Sequence, residues 1–463
     1  LKCMLTHVFC SSRCSTLFSL GRMPLGFTRA IARMPLVAAS LAPDACHGRR
    51  GAVKGSSVWC RCSSSGRPIQ NPETCEDLRG GRGLACRWLR ELAVCVTKGS
   101  GHGIRTPLGQ PTTDVFESDS LMNLQSALEC PRPRGHATAW PADAATHQYC
   151  LTLVTWNVEW LFDGIDDPPA AKRRGGPAHA AQRINEVAAV LRRLDADVVH
   201  IAEIESCGML ARVAAASNCS YEPYLVAGTD SALGQQVGLL SRLRPAGDLL
   251  RSDSKAAFPV ASSSCGSVAP GRTGVSKHLV ARFWLLPGVE LTVIGLHLKA
   301  RPTDPLACHQ REGQASVVQS LVRDALRRGS HVVVLGDFND FDADAPDALG
   351  QFPVSRVLRL LKDVNGDGVP ELWNIAEALP SQQRYSSWWD RNRDGAFQEA
   401  FEGSLLDHVL VSESLRPLVQ AVGIDHNHDP VRLSDHWPLW VRMDLSPLVR
   451  GDSDIRRAHG GSR

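Results

Sequence analysis

The chain of 463 residues is too long for one ordinary domain, and is long enough for two domains or for one large domain with a tail. Hydrophobic residues make up 43% of the chain and charged residues 21%, a balance that allows a sizeable core and excludes a collagen-like or wholly disordered protein. No run of about eighteen apolar residues occurs, which excludes a membrane-spanning helix, and the formal net charge of +3 identifies no partner.

Charge and cysteine divide the chain near residue 150. Up to Cys150 there are 18 Lys and Arg against 10 Asp and Glu, whereas the remaining residues hold 33 against 38. Eleven of the 15 cysteines also precede residue 151. We therefore predict a basic, cysteine-rich leader and linker of low order over residues 1–150, a folded domain over 151–445 and a disordered tail over 446–463.

The beginning of the chain has the composition of a targeting segment. Arg and Ser are frequent, and Asp44 is the only acid before Glu73, which is typical of an organelle transit peptide. Unstructured sequence is the alternative, and a secretory signal fits less well because no apolar block follows the early charges. The sequence leaves the compartment open, with an organelle and secretion as two possibilities, and we expect a soluble monomer.

Regular patterns begin at Leu151. Residues 151–158 alternate as a half-buried strand does, residues 184–194 have helical spacing, and 197–204 has the pattern of a second strand. Further strands are predicted over 221–227, 236–241, 279–286, 291–298, 331–335, 405–411 and 437–443, with a helix over 309–328. Strands outnumber helices without strict alternation, which predicts packed sheets with flanking helices.

Polar side chains stand repeatedly where these strands begin or end. They are Asn157 and Glu159, Glu203, His297 and Lys299, Asp337 and Asn339, Asp407, and Asp435 and His436. Each taken singly has a structural alternative, such as a turn or a helix cap. Together they indicate a site at one rim of the sheets, because gathering unpaired charge has no purpose in a stable fold and is costly.

The segments carrying these residues resemble a known superfamily. In order they are Thr155-Trp-Asn-Val-Glu159, Ala202-Glu-Ile-Glu205, Gly295-Leu-His-Leu-Lys299, Gly336-Asp-Phe-Asn339, Leu406-Asp407 and Ser434-Asp-His436. This series is similar to the endonuclease/exonuclease/phosphatase superfamily, which includes deoxyribonuclease I, exonuclease III, sphingomyelinases and inositol polyphosphate 5-phosphatases. The resemblance covers about residues 151–444. It implies an α/β (α+β) fold, a four-layer sandwich of two packed mixed β-sheets flanked by helices, here preceded by a largely irregular N-terminal region.

The resemblance also implies a metal cofactor. Members of the superfamily cleave phosphate esters with a divalent cation and an attacking water, and hard oxygen ligands suit Mg²⁺ or Mn²⁺. By resemblance Glu203 is the principal ligand, Asn157 and Asp435 lie close to the metal, and Glu159 takes part in a second, looser site.

Five catalytic residues follow from the same resemblance. His436 would act as general base or phosphate contact, with its tautomer fixed by Asp407. Asp337 and Asn339 would orient the water or the leaving group and bind the phosphate. His297 would donate to a phosphate oxygen or to the leaving group.

One departure from the pattern concerns the partner of His297. Deoxyribonuclease I pairs its first catalytic histidine with a glutamate, but the corresponding stretch here is Gly234-Gln-Gln-Val-Gly238. We therefore expect an amide of Gln235 or Gln236 to orient His297. Lys299, Arg311 and Gln235 are predicted substrate contacts, and a solvated face is the alternative for the two cations.

Other motifs are less specific. Residues 363–368 and 390–395 begin like calcium loops but lack the glutamate at position twelve, so tight turns explain them at least as well as a structural Ca²⁺. Tyr385, Trp388 and Trp389 could pack in the core or stack on a base.

The cysteines of the folded part leave the redox state open. Cys207, Cys219, Cys265 and Cys308 could stay reduced or form two disulfides in any of three pairings.

The leading functional prediction is a metal-dependent phosphodiesterase acting on DNA or RNA, and specifically an endonuclease. The segments around Trp156 and His297, together with Arg311, look most like the deoxyribonuclease-like branch. The acidic balance of the folded part argues against it, since DNA-binding proteins usually carry a basic stripe. The alternatives are a phosphatase or phospholipase of the same fold, of the inositol phosphate or sphingomyelin type, and an inactive binding module.

Overall fold

The computed structural model describes residues 129–130, 149–165, 167–168, 175–230 and 232–448, and the backbone of 84–89 and 92–97. The predicted transit peptide, most of the predicted leader and linker, and the tail beyond residue 448 lie outside these residues. The chain divides into two units, of which one is Phe18–Asp119. In that unit β1 (Leu84–Leu89) and β2 (Leu92–Thr97) pair antiparallel, although we had predicted irregular structure there.

The other unit holds the remaining elements. In chain order they are β3 (Cys150–Leu161), α1 (Pro177–Leu194), β4 (Val198–Ile204), α2 (Cys207–Ser217), β5 (Glu222–Tyr224), β6 (Gln236–Ser241), β7 (Ala256–Phe258), β8 (Gly271–Thr273), β9 (Lys277–Leu286), β10 (Val289–His297), α3 (Pro305–Arg327), β11 (His331–Asp337), α4 (Val357–Lys362), β12 (Leu372–Asn374), β13 (Ser387–Trp388), α5 (Glu399–Glu402), β14 (Gly403–Ser404), β15 (Asp407–Ser412), β16 (Val419–Ile424) and β17 (Leu439–Asp444). Short 3-10 turns occur at Ile375–Ala378, Ser381–Gln383 and Arg416–Leu418.

Two mixed sheets form the centre of this unit. Sheet 1 has the order β16-β17-β3-β4-β6-β5, and sheet 2 has the order β12-β15-β11-β10-β9. Leu153 and Val441 of sheet 1 share one buried cluster with Val293 and Val333 of sheet 2, so the sheets pack face to face. The predicted two-sheet sandwich is confirmed.

Helices cover the outer faces of both sheets. Ile184, Val187 and Leu191 of α1 recur at helical spacing and pack on sheet 1, together with residues of α2. Val318 and Val322 of α3 pack on the outer face of sheet 2, together with residues of α4. The four layers are therefore helix, sheet, sheet and helix, as predicted.

Several boundaries differ from the sequence prediction for local reasons. Helix α3 begins at Pro305, four residues before the predicted start at 309, because the Asp304 carboxylate accepts a hydrogen bond from the Ala307 N–H at 2.7 Å and Pro305 suits the first turn. Helix α2 was not predicted, and Ser206 caps its first turn. Strand β16 was also missed, because most of its residues are only half-buried and alternate weakly.

Two disulfides have both of their cysteines among the described residues, and the described Cys150 and Cys219 are disulfide-bonded as well. The two disulfides join Cys130 to Cys207 and Cys265 to Cys308. The second is one of the pairings left open by the sequence. The first uses a cysteine that we had placed in the linker, so treating the four later cysteines as a closed set was wrong. Cys130 also donates its N–H to Leu225 O at 3.2 Å, which ties this part of the chain to the folded unit.

A buried ion pair supports the strand that carries Asp407. The Lys362 ammonium lies 2.8 and 2.9 Å from the two carboxylate oxygens of Asp342 and also contacts Asp344. Asn374 donates to Asp342 at 2.9 Å and contacts His408. Burial alone would raise the pKa of Asp342, but the charge of Lys362 outweighs burial and lowers it.

Replacing Lys362 by methionine should destabilise the protein by about 3 kcal/mol, because Asp342 is then buried without its countercharge. Urea unfolding measures the change. The matched control is Arg327→Met, which removes an exposed pair with Asp324 and should change stability by less than about 1 kcal/mol. Equal losses in the two variants would show that burial of the Lys362 pair has no energetic consequence.

Candidate active site

The predicted site residues meet where the two sheets come together at their strand ends. Strand β3 runs parallel to β4, and β10 runs parallel to β11 with His297 paired in register with Asp337. The Asn157 amide N–H group donates to Glu203 Oε1 at 3.2 Å within sheet 1 and to Asp337 Oδ2 at 3.1 Å in sheet 2. One buried amide therefore joins the principal carboxylates of both sheets.

The backbone is left-handed at three of these positions. The φ angles are 46° at Glu159, 62° at Glu203 and 50° at Asn339. Side-chain-bearing residues rarely adopt this conformation, and such residues concentrate at functional sites. Here the turns direct the polar side chains away from the regular alternation of their strands.

Gly336 explains part of the Gly-Asp-Phe-Asn motif. Its φ is 147°, and a Cβ at this position would lie 1.9 Å from Leu296 O on the neighbouring strand. Only glycine fits there, so the residue before Asp337 is dictated by the close approach of β10 and β11.

Arg183, which the sequence analysis missed, holds the end of β3 in place. Its guanidinium is buried and donates to the carbonyls of Val158 at 2.6 Å, Glu159 at 2.6 Å and Trp160 at 3.0 Å, and to Leu433 O at 2.8 Å. The left-handed turn of β3 and the segment before Ser434-Asp-His436 are thus fastened by the same side chain.

Two further contacts dock the Ser434-Asp-His436 segment on β3. Ser434 Oγ donates to Asn157 O at 2.6 Å, and the Asp435 N–H donates to Glu159 Oε2 at 3.0 Å. The last predicted motif is therefore adjacent to the first, although the chain separates them by more than half its length.

His436 and Asp407 form a buried pair. His436 Nδ1 lies 2.7 Å from Asp407 Oδ2, which also accepts a hydrogen bond from Ser386 Oγ at 2.8 Å. Nε2 of His436 then faces Asp337 Oδ2 and Asp435 Oδ1, each at 3.9 Å. Burial lowers the pKa of His436, but the negative charges of Asp407, Asp337 and Asp435 outweigh burial and hold it well above its usual value.

His297 approaches the same oxygen of Asp337 as His436 does. Its Nε2 is 3.5 Å from Asp337 Oδ2 and 3.9 Å from Glu203 Oε1, while its Nδ1 is buried without a hydrogen-bond partner among the described residues. Burial lowers the pKa of His297 well below its usual value, and the nearby charges of Lys277 and His436 lower it further. The pKa values of the two histidines therefore shift in opposite directions, upward for His436 and downward for His297.

The expected glutamine partner of His297 was wrong. Gln235 Oε1 accepts a hydrogen bond from the Lys277 ammonium at 2.9 Å, and Gln236 Oε1 accepts from the Gly228 N–H at 2.7 Å. Neither amide reaches the imidazole, so no side chain in the described part of the protein takes the place of that glutamate.

Lys277 is a second residue that the sequence analysis missed. It pairs across β9 and β10 with His297 and is only 9% exposed. Burial lowers the pKa of Lys277, while the charges of Glu203, Asp230 and Asp337 oppose that effect. A buried lysine therefore lies beside the carboxylates of the site, although its position at the start of a strand is typical of a solvated residue.

Arg311 and Lys299, both predicted substrate contacts, differ in their burial. The Arg311 guanidinium is fully buried and donates to Asp340 and to the carbonyls of Lys299, Arg301 and Pro302 at 2.9 to 3.2 Å. These contacts occupy it, so the predicted phosphate contact was wrong and Arg311 instead fixes the loop after His297. The Lys299 side chain is exposed beside that loop.

The donors of the site suit a divalent cation. Burial raises the pKa of Glu203 and raises that of Asp337 to about 7, which indicates carboxylates crowded together with too little positive charge. Carboxylate and amide oxygens are the ligands that Mg²⁺ and Mn²⁺ prefer. Glu203, Asn157 and Asp435 could hold one ion, and Glu159 stands next to Asp435.

The two segments that begin like calcium loops fold as tight turns. Asp363 accepts hydrogen bonds from the N–H groups of Gly366 and Gly368 at 2.7 and 3.0 Å, and Asp390 accepts one from Gly395 at 3.1 Å. Asx-type turns of this kind form without an ion, so Ca²⁺ at either segment stays a prediction.

This fold and this convergence of residues define the class of protein. Residues 154–436 match the model of the Endonuclease/Exonuclease/phosphatase family. That match covers more than half of the chain, so the chain belongs to this family, as the sequence motifs predicted.

Several solved structures are similar to part of this chain at low identity. A 3'-5' exonuclease (NExo) from Neisseria meningitidis is 19% identical, with a TM-score of 0.43 over 64% of this chain and 100% of the other. TDP2 of D. rerio, in complex with a single-strand DNA product, is 18% identical with a TM-score of 0.39 over 64% and 99%. Truncated TDP2 of Caenorhabditis elegans is 16% identical with a TM-score of 0.38 over 64% and 98%. No curated protein matches the sequence.

No helix in the described part of the chain is long and apolar enough to cross a membrane.

Substituting methionine for Arg183 should destabilise the protein by about 3 kcal/mol, because four carbonyls lose a charged donor and several stay buried. Urea unfolding gives the stability. Arg192→Met on the same helix is the control, since Arg192 makes one hydrogen bond at an exposed position. A loss in Arg183→Met no greater than in the control would contradict the role of Arg183 in fastening the site.

Proposed function

We propose that the chain is a divalent-metal-dependent phosphodiesterase that hydrolyses nucleic acid within the strand. The observation that carries this proposal is the convergence on Asp337 of one amide and two imidazoles, from Asn157, His297 and His436, with donor-acceptor distances of 3.1 to 3.9 Å. A structural core has no need for two histidines with opposite pKa shifts around a buried carboxylate.

A phosphodiester is negatively charged, so the site must offer positive charge to it. His436 and Lys277 supply part of that charge from the chain itself. A cation held by Glu203, Asn157 and Asp435 supplies the rest when bound, by stabilising charge on the phosphate oxygens. Glu159, next to Asp435, belongs to the looser second position.

His436 binds the phosphate in this mechanism. Asp407 accepts a hydrogen bond from its Nδ1–H, which orients the ring, and in its protonated form His436 also directs an Nε2–H into the site. Ser386 holds Asp407 in turn. The pair therefore presents one N–H group to a phosphate oxygen with little freedom to rotate away.

Asp337 accepts a proton from the attacking water. Its Oδ1 accepts the Asn339 N–H at 2.8 Å and its Oδ2 accepts the Asn157 amide, so the carboxylate is fixed between the sheets. The Asn339 side chain is itself held by Leu298 O at 3.3 Å. Approach of the water toward the phosphate and removal of its proton thus occur at one fixed position.

His297 and His436 both approach Asp337 Oδ2, and His297 contacts the leaving oxygen or a phosphate oxygen through Nε2. We propose that His297 orients the substrate and that Asp337 takes the proton of the attacking water. As the bond from phosphorus to the leaving oxygen breaks, that oxygen takes a proton from solvent. Exposed Lys299 lies two residues after His297 and extends the positive charge toward the substrate strand.

Asp337→Asn should lower the rate of phosphodiester hydrolysis at least about a hundredfold, because the amide cannot accept the proton, and circular dichroism checks that the variant is folded. A nicking assay with supercoiled plasmid and Mg²⁺ reports the rate, and a circular substrate has no ends, so it reports internal cleavage. Asp347→Asn, another buried aspartate held by turn N–H groups, is the matched control and should remain active.

The same assay separates the alternatives. Wild-type protein that leaves DNA and RNA intact while hydrolysing sphingomyelin or an inositol phosphate would replace the nuclease by a lipid or inositol phosphoesterase. Protein that hydrolyses none of these substrates with Mg²⁺ or Mn²⁺ would favour an inactive binding module.

Chelation by EDTA should abolish hydrolysis, and Mg²⁺ or Mn²⁺ should restore it. Independently of activity, Mn²⁺ should raise the midpoint of thermal unfolding of the wild type, because an ion that binds only the folded state stabilises it. Glu203→Gln should lose most of this shift.

The control for that measurement is Glu371→Gln, which changes a glutamate beside the turn of residues 363–368. Loss of the shift in Glu371→Gln with retention in Glu203→Gln would place the ion in that turn and contradict the proposed metal site.

A further inference from the structure

Trp389 is the most exposed large hydrophobic side chain among the described residues. It is 72% exposed, whereas its neighbour Trp388 is half-buried and donates its indole N–H to Glu402 at 3.0 Å. Residues next to each other in extended chain point to opposite sides, so the Trp388 ring turns inward and the Trp389 ring turns outward. A fully solvated indole is unfavourable for an isolated domain and marks a contact surface.

The position of Trp389 is fixed relative to the proposed catalytic residues. Ser387 forms an antiparallel bridge with His436, and the Trp388 N–H donates to Asp435 O at 2.7 Å. Consecutive Cα atoms are about 3.8 Å apart, so Trp389 begins one residue from a backbone contact with Asp435. The exposed ring therefore belongs to the rim of the site.

Hydrogen bonds to Glu402 hold the backbone of the segment that carries Trp389. Glu402 is fully buried, its backbone carbonyl accepts the Trp389 N–H at 3.2 Å, and its carboxylate accepts the Arg391 N–H at 3.1 Å and the Gln398 N–H at 3.0 Å. A buried carboxylate therefore shapes this hairpin and fixes the backbone that carries Trp389, which favours binding because little backbone order has to be gained.

The other aromatic residues of this region have a different role. Tyr385 is buried and stacks on His426 with ring centroids 3.9 Å apart, and Trp437 packs edge-on against both. These rings support the segment beneath His436. Tyr385, Trp388 and Trp389 are the three aromatic residues predicted to pack or to stack on a base. Of these three, only Trp389 is largely exposed to solvent.

We propose that Trp389 is a stacking platform for an unpaired nucleobase of the substrate strand, close to the phosphate that is cleaved. This rests on the proposed function and specifies its substrate as a strand with accessible bases. Exposed Arg391 and Arg393 follow in the same loop, and an aromatic face beside cationic side chains is the combination that binds single-stranded nucleic acid.

The test compares two labelled probes by fluorescence anisotropy, a twelve-residue oligothymidine and an oligomer of the same phosphate backbone in which every residue is abasic. All proteins carry Asp337→Asn, so Mg²⁺ can be present without turnover. Protein with Trp389 should bind oligothymidine roughly tenfold more tightly than the abasic oligomer, the effect of one stacked base. Trp389→Ala should lose that difference, and Trp389→Phe should keep most of it.

Trp284→Ala is the matched control. Trp284 is 37% exposed and lies on β9, seven residues along the strand from Lys277, so its removal should leave the difference intact. Trp389 is solvated, so its replacement should not change the midpoint of thermal unfolding. Equal discrimination between the probes with and without Trp389, or no binding of oligothymidine by the parent protein, would overturn the stacking proposal.

Plasmid nicking by proteins that retain Asp337 separates this proposal from the proposed function. The protein could prefer oligothymidine to the abasic oligomer through Trp389 and yet cleave no phosphodiester. That result would support stacking on Trp389 and refute hydrolysis. Cleavage of the plasmid by a protein that does not distinguish the two probes would support hydrolysis and refute stacking on Trp389.

Discussion

The site depends on one buried amide, that of Asn157, which donates to Glu203 in sheet 1 and to Asp337 in sheet 2. Two packed sheets meet mainly through apolar side chains, which do not fix the relative position of polar groups at their rim. A hydrogen bond to each carboxylate does fix it, because the donor geometry is directional. The contacts from His297 and His436 to Asp337 follow once that carboxylate is held.

The surroundings of Asn157 show how much of the chain is used to keep this arrangement. Arg183 fastens the turn of β3 after Asn157, and Ser434 binds the Asn157 carbonyl from the other end of the domain. Left-handed backbone at Glu159 and Glu203 opposes stability, as does the burial of carboxylates whose pKa values are raised. A fold that tolerates such strain at one rim gains a preorganised set of donors and charges there.

The sequence was informative wherever a side chain's role follows from the strand that carries it. The run of apolar residues before Gly336 identifies a buried strand, and Asp337 and Asn339 must then emerge at its end. Motifs far apart in the chain could be assigned to one site in the same way, because strand ends of one sandwich share a rim. The two-sheet fold was predictable for the same reason.

Residues whose role depends on tertiary contacts were not predictable in this way. Arg183 and Arg311 lie on the apolar stripes of α1 and α3, in line with Val187 and Ala315, and this position was the available signal that each is buried. The function of each arginine is to bind backbone carbonyls of distant segments, and no local sequence pattern identifies those carbonyls. Lys277 gives no such signal, because its burial arises from the pairing of β9 with β10 beside Glu203.

The central claim is that polar groups from both sheets converge to hold a divalent cation beside Asp337. Crystals soaked with Mn²⁺ and measured for anomalous scattering test it most directly. The account predicts an anomalous peak within roughly 2–3 Å of a Glu203 carboxylate oxygen, with Asn157 or Asp435 also in contact. A peak confined to the turns at 363–368 or 390–395, with none at Glu203, would contradict it.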